Sequence, residues 1–238
     1  KPISMSKVYG LIAAAGNAVR IGGIPKFLLP LKENKNLLMN SFSWLDNSGV
    51  HNYILSTNET FIPILKQLDG LDSYLNTEEI QVVKTKTMNE TINLMLNSKT
   101  FSKDDIFISI MPDTYITNVN LGNEMVSLLQ SKSELSAVAG LFKIKHYQKG
   151  KLGQCKIENG LIKNVIDKDP SCDYEYSWGA MAWKLDYLPY IYNSDPHIGF
   201  SINPAIESGK KVGYIKSDSE YFDCGTVDEY WKLIKKLI

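Results

Sequence analysis

The chain has 238 residues, 44% of them hydrophobic, which is enough to bury the core of one large domain or of a domain with a smaller lobe. Its 26 basic and 26 acidic side chains give a formal net charge of zero, and the lysines are dispersed, so the composition provides no long-range field for nucleic acid or an acidic membrane. The three cysteines are scattered, no apolar run approaches the roughly 20 residues of a membrane helix, and the sequence has no secretory pattern. These features favour a cytoplasmic protein with reduced thiols.

Strands and helices alternate in the first half of the sequence. The predicted strands are 8–15, 52–56, 80–84 and 106–111, and the predicted helices are 37–47, 59–68, 89–97 and 121–130. This alternation is typical of a parallel sheet with helices on both faces. We therefore predict an α/β fold with a doubly wound, mostly parallel, Rossmann-like sheet.

The second half of the sequence is richer in strands. Strands are predicted at 135–144, 154–157 and 161–166, and a last helix at 227–237. Asn159-Gly160, between two of these strands, is a strong two-residue hairpin signal. Because no repeat or low-complexity linker separates the halves, we predict a single domain over 1–238 whose second half forms a smaller β-rich lobe.

A glycine-rich loop follows the first predicted strand and contains Arg20, the only arginine of the chain. Glycines let backbone N–H groups approach an anion closely, and Arg20 and Lys26 add two positive charges to the same turn. Arginine can bind a phosphate with two parallel hydrogen bonds. The loop is therefore predicted to hold a polyphosphate, although it has neither the Gly-Lys-Ser/Thr of a P-loop nor G-x-G-x-x-G. The alternative is a glycine-rich turn with two solvated cations.

Two aspartates follow strand-like segments. Asp113 comes two residues after Met111, which ends an apolar run, and open α/β sheets bind their ligands at such strand ends. Asp223 lies 110 residues later, shortly before the last predicted helix. Carboxylates can hold a hard divalent cation against phosphate oxygens, and the alternatives are a Pro-Asp turn at Asp113 and a capped turn at Asp223. The two aspartates can share one magnesium ion only if the sheet brings both strand ends together.

The loop resembles the signature of nucleotidylyltransferases that activate sugar phosphates, which is close to G-x-x-x-R-(spacer)-P-K-x-L-L-P. The matching residues are Gly16, Arg20, Pro25, Lys26, Leu28, Leu29 and Pro30. Met111-Pro112-Asp113 and Asp223-Cys224-Gly225-Thr226 are similar to the Leu-Pro-Asp and Asp-x-Gly-Thr of the same family. The resemblance covers most of the chain. It implies a GT-A-like nucleotidyltransferase fold, with a nucleotide-binding half at about 5–134 and an acceptor-binding half at about 135–238.

The resemblance also implies roles for individual residues. Arg20 and Lys26 are the implied catalytic residues, on the β- and γ-phosphates and on the α-phosphate respectively, and Asp113 and Asp223 are the implied ligands of Mg²⁺. Lys168, in Asp167-Lys168-Asp169, is similar to the lysine of a Glu-Lys-Pro that contacts the sugar phosphate. The implied nucleotide-binding residues are Ala14, Ala15, Gly16, Asn17, Arg20, Lys26 and Asn89, and the implied acceptor-binding residues are Gly153, Lys168 and Gly179.

Two segments depart from the family pattern. Residues 87–91 stand where relatives have Gly-Leu-Ala or Gly-Thr-Ala at the base, so base contacts cannot be assigned residue by residue. Residues 185–202 lack a clear Glu-(spacer)-Thr-Asp at the sugar. We expect an enzyme that couples a nucleoside triphosphate to a sugar phosphate, forming an NDP-sugar and pyrophosphate. The expected donors are UTP, dTTP or CTP, with ATP and GTP poor.

Three alternatives stay open at this point. A cytidylyltransferase would act on a polyol, sugar-acid or small-alcohol phosphate. A non-catalytic relative would bind nucleotide without turnover, although the presence of both Asp113 and Asp223 argues against it. A nicotinamide oxidoreductase shares the early alternation, but the second strand runs into Thr57-Asn58, where a dinucleotide fold would have a carboxylate for the ribose. The expected partners are the triphosphate and the phosphorylated acceptor, without nucleic acid or membrane, and homo-oligomer formation is left open.

Overall fold

Strands from both halves of the chain join in one nine-stranded sheet in the computed structural model, which describes residues 6–17, 19–21 and 23–238, with the backbone alone at 19–21. The strands are β1 (Val8–Ala14), β2 (Val19–Ile21), β3 (Ile24–Pro25), β4 (Asn52–Thr57), β5 (Gln81–Val82), β6 (Ile106–Ile110), β7 (Thr114–Ile116), β8 (Leu135–Lys143), β9 (Gly153–Glu158), β10 (Leu161–Asp167), β11 (Tyr176–Lys184), β12 (Lys211–Ser217) and β13 (Tyr221–Asp223). The α-helices are α1 (Leu37–Asp46), α2 (Ile62–Leu65), α3 (Met88–Asn97), α4 (Leu121–Ser131), α5 (Ile202–Glu207) and α6 (Val227–Leu237). Every helix among the described residues is too short or too polar to span a bilayer.

The large sheet has the strand order β5-β4-β1-β6-β11-β8-β12-β10-β9. Strands β5, β4, β1 and β6 run parallel to one another, and β8 is parallel to β12. Strand β11 runs antiparallel to both β6 and β8, and β10 is antiparallel to β12 and β9. The predicted α/β class is confirmed. The sheet is mixed instead of mostly parallel, because β11 returns through its centre in the opposite direction.

Helices cover both faces of this sheet. On one face, Phe42 of α1 and Met125 of α4 are buried in a cluster that includes Ile12 of β1. On the other face, Met95 of α3 lies in a second buried cluster with Leu11 of β1. Successive residues of β1 therefore point to opposite helical layers, as the two-residue period of a strand requires. Burial on both faces explains why the sequence of this strand is a continuous apolar run.

The structure differs from the predicted elements both at the edge of the sheet and in its interior. The helix predicted at 59–68 is a 3₁₀ turn at Glu59–Phe61 followed by the four residues of α2, after which the backbone continues with i→i+3 hydrogen bonds. The strand predicted at 80–84 is reduced to the short edge strand β5. The hairpin between β9 and β10 is confirmed, since Asn159 and Gly160 have φ angles of 51° and 77°, as a type I′ turn requires. Strands β11 and β12 were not predicted.

Gly179 lies in the middle of β11, and its lack of a side chain is a packing requirement. A Cβ at this position would lie 2.6 Å from the ring of Tyr221 and 2.7 Å from the ring of Phe142. Both rings are buried and lie against each other, with centroids 5.1 Å apart. We expect Gly179→Ala to lower the free energy of unfolding by about 1–3 kcal/mol through overpacking, which thermal unfolding would detect.

Gly16→Ala is the control for this substitution, because a Cβ on Gly16 meets nothing within 4 Å. Its melting temperature should stay close to that of the wild type, since exposed substitutions usually change stability by less than about 0.5 kcal/mol. Equal melting temperatures for the two variants would contradict the packing role of Gly179.

Candidate active site

A pocket of about 220 Å³ opens at the carboxyl end of β1, where the predicted phosphate loop begins. Its wall includes the predicted nucleotide-binding residues Ala14, Ala15, Gly16 and Lys26. The carboxyl end of β6 reaches the same pocket through residues 111–113. Ligands of open α/β sheets bind at this edge. The backbone of Arg20 belongs to β2, but its side chain lies outside the described part of the chain, so its phosphate contact stays a prediction.

Asn58 holds the phosphate loop in place. Its Nδ2 donates to the carbonyl of Ala15 at 3.2 Å and to Oδ1 of Asn17 at 3.0 Å. The preceding Thr57 donates through Oγ1 to the carbonyl of Ala14 at 3.0 Å. In the sequence analysis, Thr57-Asn58 served only as evidence against a dinucleotide fold, because these residues stand where such a fold has a carboxylate for the ribose. The structure gives the pair a positive role, because β4 lies beside β1 and both side chains bond the loop that leaves it.

Asp113 and Asp223 come together through a second, two-stranded sheet. Strand β7 directly follows Asp113 and pairs antiparallel with β13, with Asp223 opposite Thr114. The N–H of Cys224 also donates to the carbonyl of Asp113 at 3.0 Å. Backbone hydrogen bonds therefore determine the separation of the two aspartates, which are 110 residues apart in the sequence.

Lys26 lies close to the same two carboxylates. Its Nζ is 3.7 Å from Oδ2 of Asp113. Gly225 shows how closely the three groups approach, since a Cβ there would lie 2.9 Å from Oδ1 of Asp223, 3.3 Å from Nζ of Lys26 and 3.4 Å from Oδ2 of Asp113. The N–H of Gly225 donates to Oδ1 of Asp223 at 3.1 Å. A side chain at position 225 would force Oδ1 of Asp223 to shift and would crowd the other two groups, which gives the glycine of the Asp-x-Gly-Thr motif a steric reason.

The electrostatics of this cluster favour a bound cation. Burial raises the pKa of Asp113 to about 6, the charge of Asp223 raises it as well, and Lys26 offsets only part of the shift. Carboxylate oxygens are hard ligands that suit Mg²⁺. In the part of the chain that the structure describes, no three His, Cys, Asp or Glu side chains are arranged to hold a metal ion. A cation here would use the two aspartates and complete its shell with phosphate oxygens and water.

The segment between β5 and α3 forms the opposite wall of the pocket, at residues 85–88. Thr87 caps α3 by accepting from the N–H of Glu90 at 3.0 Å, and Glu90 accepts in turn from the N–H of Lys86 at 2.7 Å. Thr87 also donates to the carbonyl of Asn193 at 2.5 Å, and the N–H of Met88 donates to the carbonyl of Pro196 at 3.1 Å. The wall is therefore fastened both to its own helix and to a distant loop. The Thr-x-x-Glu spacing could have indicated the cap but not the distant loop.

A second cavity of about 580 Å³ lies on the other side of the carboxylates and shares Lys26 and Asp113 with the first. Lys168 lines this second cavity. Its φ of 52° is in the left-handed region, which is strained for a residue with a side chain. The structure therefore brings Lys168 to the same site as the phosphate loop and both aspartates.

Three other predicted site residues are buried away from the lining of either cavity. A Cβ on Gly153 would lie 2.3 Å from Nε1 of Trp178, and Gly179 faces aromatic rings as described above. Asn89 is fully buried, and neither polar atom of its side chain has a hydrogen-bond partner among the described residues. Any contact of these three residues with a substrate stays a prediction.

Comparison with known proteins gives matches among solved structures. No protein-family model matches the chain, and no curated protein matches it significantly in sequence. A Bacillus anthracis protein named as a glucose-1-phosphate thymidylyltransferase, in complex with a sucrose, matches with a TM-score of 0.77 at 15% identity, over 97% of this chain and 95% of that chain. UTP-bound UGPase from Acinetobacter baumannii matches at 0.71 and 15% identity, over 98% and 93%. UDP-glucose pyrophosphorylase complexed with UDP-glucose matches at 0.72 and 17% identity, over 98% of each chain.

The chain has the fold of sugar-phosphate nucleotidylyltransferases. The resemblance seen in its motifs is thereby confirmed at the level of the fold. The matches extend over nearly the full length of both partners, so the fold includes the second half as well as the phosphate loop.

The raised pKa of Asp113 has a consequence for stability. Because its pKa in the folded chain, about 6, exceeds the ordinary value of 3.8, the folded state holds this proton more tightly than the unfolded state. Ionisation of Asp113 therefore lowers the free energy of unfolding progressively between about pH 4 and pH 6, by up to about 3 kcal/mol. In EDTA, Asp113→Asn should melt at a higher temperature than the wild type at pH 7.5 but not at pH 4.

The matched control is Asp228→Asn, an exposed carboxylate of the second cavity whose pKa is lowered by its hydrogen bond to Lys232. This variant should not gain stability at pH 7.5. An Asp113→Asn protein that melts at or below the wild-type temperature at pH 7.5 would show that the ionised carboxylate is not destabilising.

Proposed function

We propose that the chain is a nucleotidylyltransferase that joins the nucleotidyl group of a pyrimidine nucleoside triphosphate to a sugar phosphate, forming an NDP-sugar and releasing pyrophosphate. The main support is the cluster of Lys26, Asp113 and Asp223, which lies between a cavity at the phosphate loop and a cavity at Lys168. The solved neighbours support the substrate classes, since one is named for glucose 1-phosphate and others hold UTP or UDP-glucose.

In the proposed reaction, a phosphate oxygen of the acceptor attacks the α-phosphorus of the triphosphate in line. The bond from the α-phosphorus to the oxygen that bridges it to the β-phosphorus breaks, and pyrophosphate leaves. Such a transfer needs positioning and charge neutralisation more than covalent chemistry by the protein. Lys26 is proposed to neutralise charge at the α-phosphate and Arg20 to hold the β- and γ-phosphates, while backbone N–H groups of the loop contact the phosphate oxygens.

Asp113 and Asp223 are proposed to hold Mg²⁺. The fit rests on two buried or half-buried carboxylates brought together by β7 and β13, with the pKa of Asp113 raised by burial and by Asp223. When bound, the ion supplies positive charge to the phosphate oxygens. Lys26, 3.7 Å from Asp113, supplies a second positive charge on the same side.

Lys168 is proposed to bind the acceptor phosphate in the second cavity. Gly153 and Gly179 are proposed to act on the acceptor site indirectly, by leaving room for the rings of Trp178 and Tyr221. Asn89 is proposed to serve the nucleotide pocket from within, since it lies on α3 between the lining residues Met88 and Thr91.

Pyrophosphate release tests this function directly. The assay combines UTP, dTTP, CTP, ATP or GTP with glucose 1-phosphate, other sugar phosphates, a polyol phosphate or a small-alcohol phosphate, in the presence of Mg²⁺. We expect release with a pyrimidine triphosphate and a sugar phosphate, and loss of most turnover in Asp223→Asn. Release only with CTP and a polyol phosphate would favour the cytidylyltransferase alternative, and release only with purines would overturn the donor assignment. No release with any pair would overturn the proposed function.

The role of Lys168 predicts a selective kinetic defect. Lys168→Ala should raise the KM for the acceptor by about tenfold to a hundredfold, because a hydrogen bond to a charged group contributes about 1.5–3 kcal/mol, and should leave the KM for the triphosphate unchanged. The control is Lys163→Ala, an exposed lysine of β10 that is not among the residues lining the cavity. Equal acceptor KM values in the two variants would contradict the assignment.

A further inference from the structure

Glu229 lines the second cavity together with Asp113 and Asp223. It lies in the first turn of α6, where its N–H donates to Oγ1 of the N-cap residue Thr226 at 3.3 Å. In a capping box with this Thr-x-x-Glu spacing, the glutamate carboxylate would accept from the N–H of the cap residue. A structural role of that kind is the simplest explanation of a glutamate at this position.

The carboxylate makes a different set of contacts. Among the described contacts, Oε1 lies 3.4 Å from Nζ of Lys232, and no bond runs back to the N–H of Thr226. Oε2 is buried and has no hydrogen-bond partner, in a residue that is only 8% exposed. A buried carboxylate oxygen without a partner is costly unless a ligand or ion completes its environment.

Glu229 lies near Asp223 in the fold, because α6 packs against β13, the strand that ends at Asp223. Burial raises the pKa of Glu229, Lys232 opposes this, and the charge of Asp223 raises it again. Asp113, Asp223 and Glu229 all line the same cavity, next to the place where α6 packs against β13.

We propose that Glu229 is the third carboxylate of the cation site, where its buried and unpartnered Oε2 adds negative charge to that of Asp113 and Asp223. The inference rests on the proposed function only in taking those two aspartates as the residues that hold the cation. Because no three such side chains in the described chain are already arranged around one ion, Glu229 is a positioning residue and not a direct ligand. Mutation of a residue that lies just outside the direct ligands of a metal ion typically changes the metal affinity by about tenfold to a hundredfold.

The proposal is tested by titrating the protein alone with Mn²⁺. Binding is measured by electron paramagnetic resonance, in which the signal of the free ion is lost as Mn²⁺ binds. Glu229→Gln keeps the shape and removes the charge, so the dissociation constant for Mn²⁺ should rise about tenfold. Asp228→Asn is the matched control, because Asp228 lines the same cavity and pairs with the same Lys232, but its side chain is 77% exposed. Its affinity for Mn²⁺ should match that of the wild type.

Thermal unfolding separates this role from a helix cap. If Glu229 only capped α6, Glu229→Gln would keep the wild-type stabilisation by added Mn²⁺, because glutamine also fits the capping box. We expect the melting temperature of Glu229→Gln in EDTA to be no lower than that of the wild type, because the substitution removes an uncompensated buried charge. We expect added Mn²⁺ to stabilise the variant less than the wild type, because it binds the ion more weakly.

Two results would overturn the inference: wild-type Mn²⁺ affinity in Glu229→Gln, or no Mn²⁺ binding by the wild type without nucleotide. Pyrophosphate release is measured separately, so that failure of this inference can be distinguished from failure of the proposed function. Release with unchanged Mn²⁺ affinity in the variant would remove only the role of Glu229. Glu229-dependent Mn²⁺ binding without release from any substrate pair would remove only the proposed reaction.

Discussion

The central constraint on this molecule is the need to hold two carboxylates close together in a partly dehydrated place. Burial and the negative charge of Asp223 both raise the pKa of Asp113 there, so the two ionised carboxylates repel each other. The pairing of β7 with β13 and the bond from Cys224 to the carbonyl of Asp113 oppose this repulsion with backbone hydrogen bonds. For the proposed cation, the backbone pairing preorganises these two residues, at a cost in stability that the rest of the fold must offset.

Apolar patterning was sufficient to predict the elements that are buried on both faces or that end at clear turns. Strands β1, β4, β6 and β8 have mainly apolar sequences, and Asn159-Gly160 marked the hairpin between β9 and β10. Strand β11 was missed although it lies at the centre of the sheet. Its sequence, Tyr176–Lys184, mixes small and aromatic residues around Gly179, because the neighbouring rings of Phe142 and Tyr221 occupy the space of a side chain. Neither periodicity nor propensity reveals packing that depends on partners so distant in the sequence.

The residues of the candidate site also divide into those that the sequence could predict and those that it could not. Positions at strand ends, such as Gly16, Lys26 and Asp113, follow from motif and topology, since the edge of an α/β sheet is a predictable place. Asn58 could not be predicted, because its role depends on β4 lying beside β1 and on the direction of its side chain. The same holds for Glu229, whose spacing indicates a helix cap while its carboxylate faces other charges. The family resemblance indicated which residues share the candidate site with the loop. Only the three-dimensional arrangement showed which other residues surround them.

The wall at 85–88 is joined to the loop that contains Asn193 and Pro196 by a side-chain bond and a backbone bond. This loop follows β11 and belongs to the other half of the chain. The two halves of the chain are therefore joined beside the pocket at the carboxyl end of β1. An insertion or deletion near Pro196 would move Met88 as well, because the N–H of Met88 bonds the carbonyl of Pro196. Neither segment can change its length or course without a matching adjustment in the other.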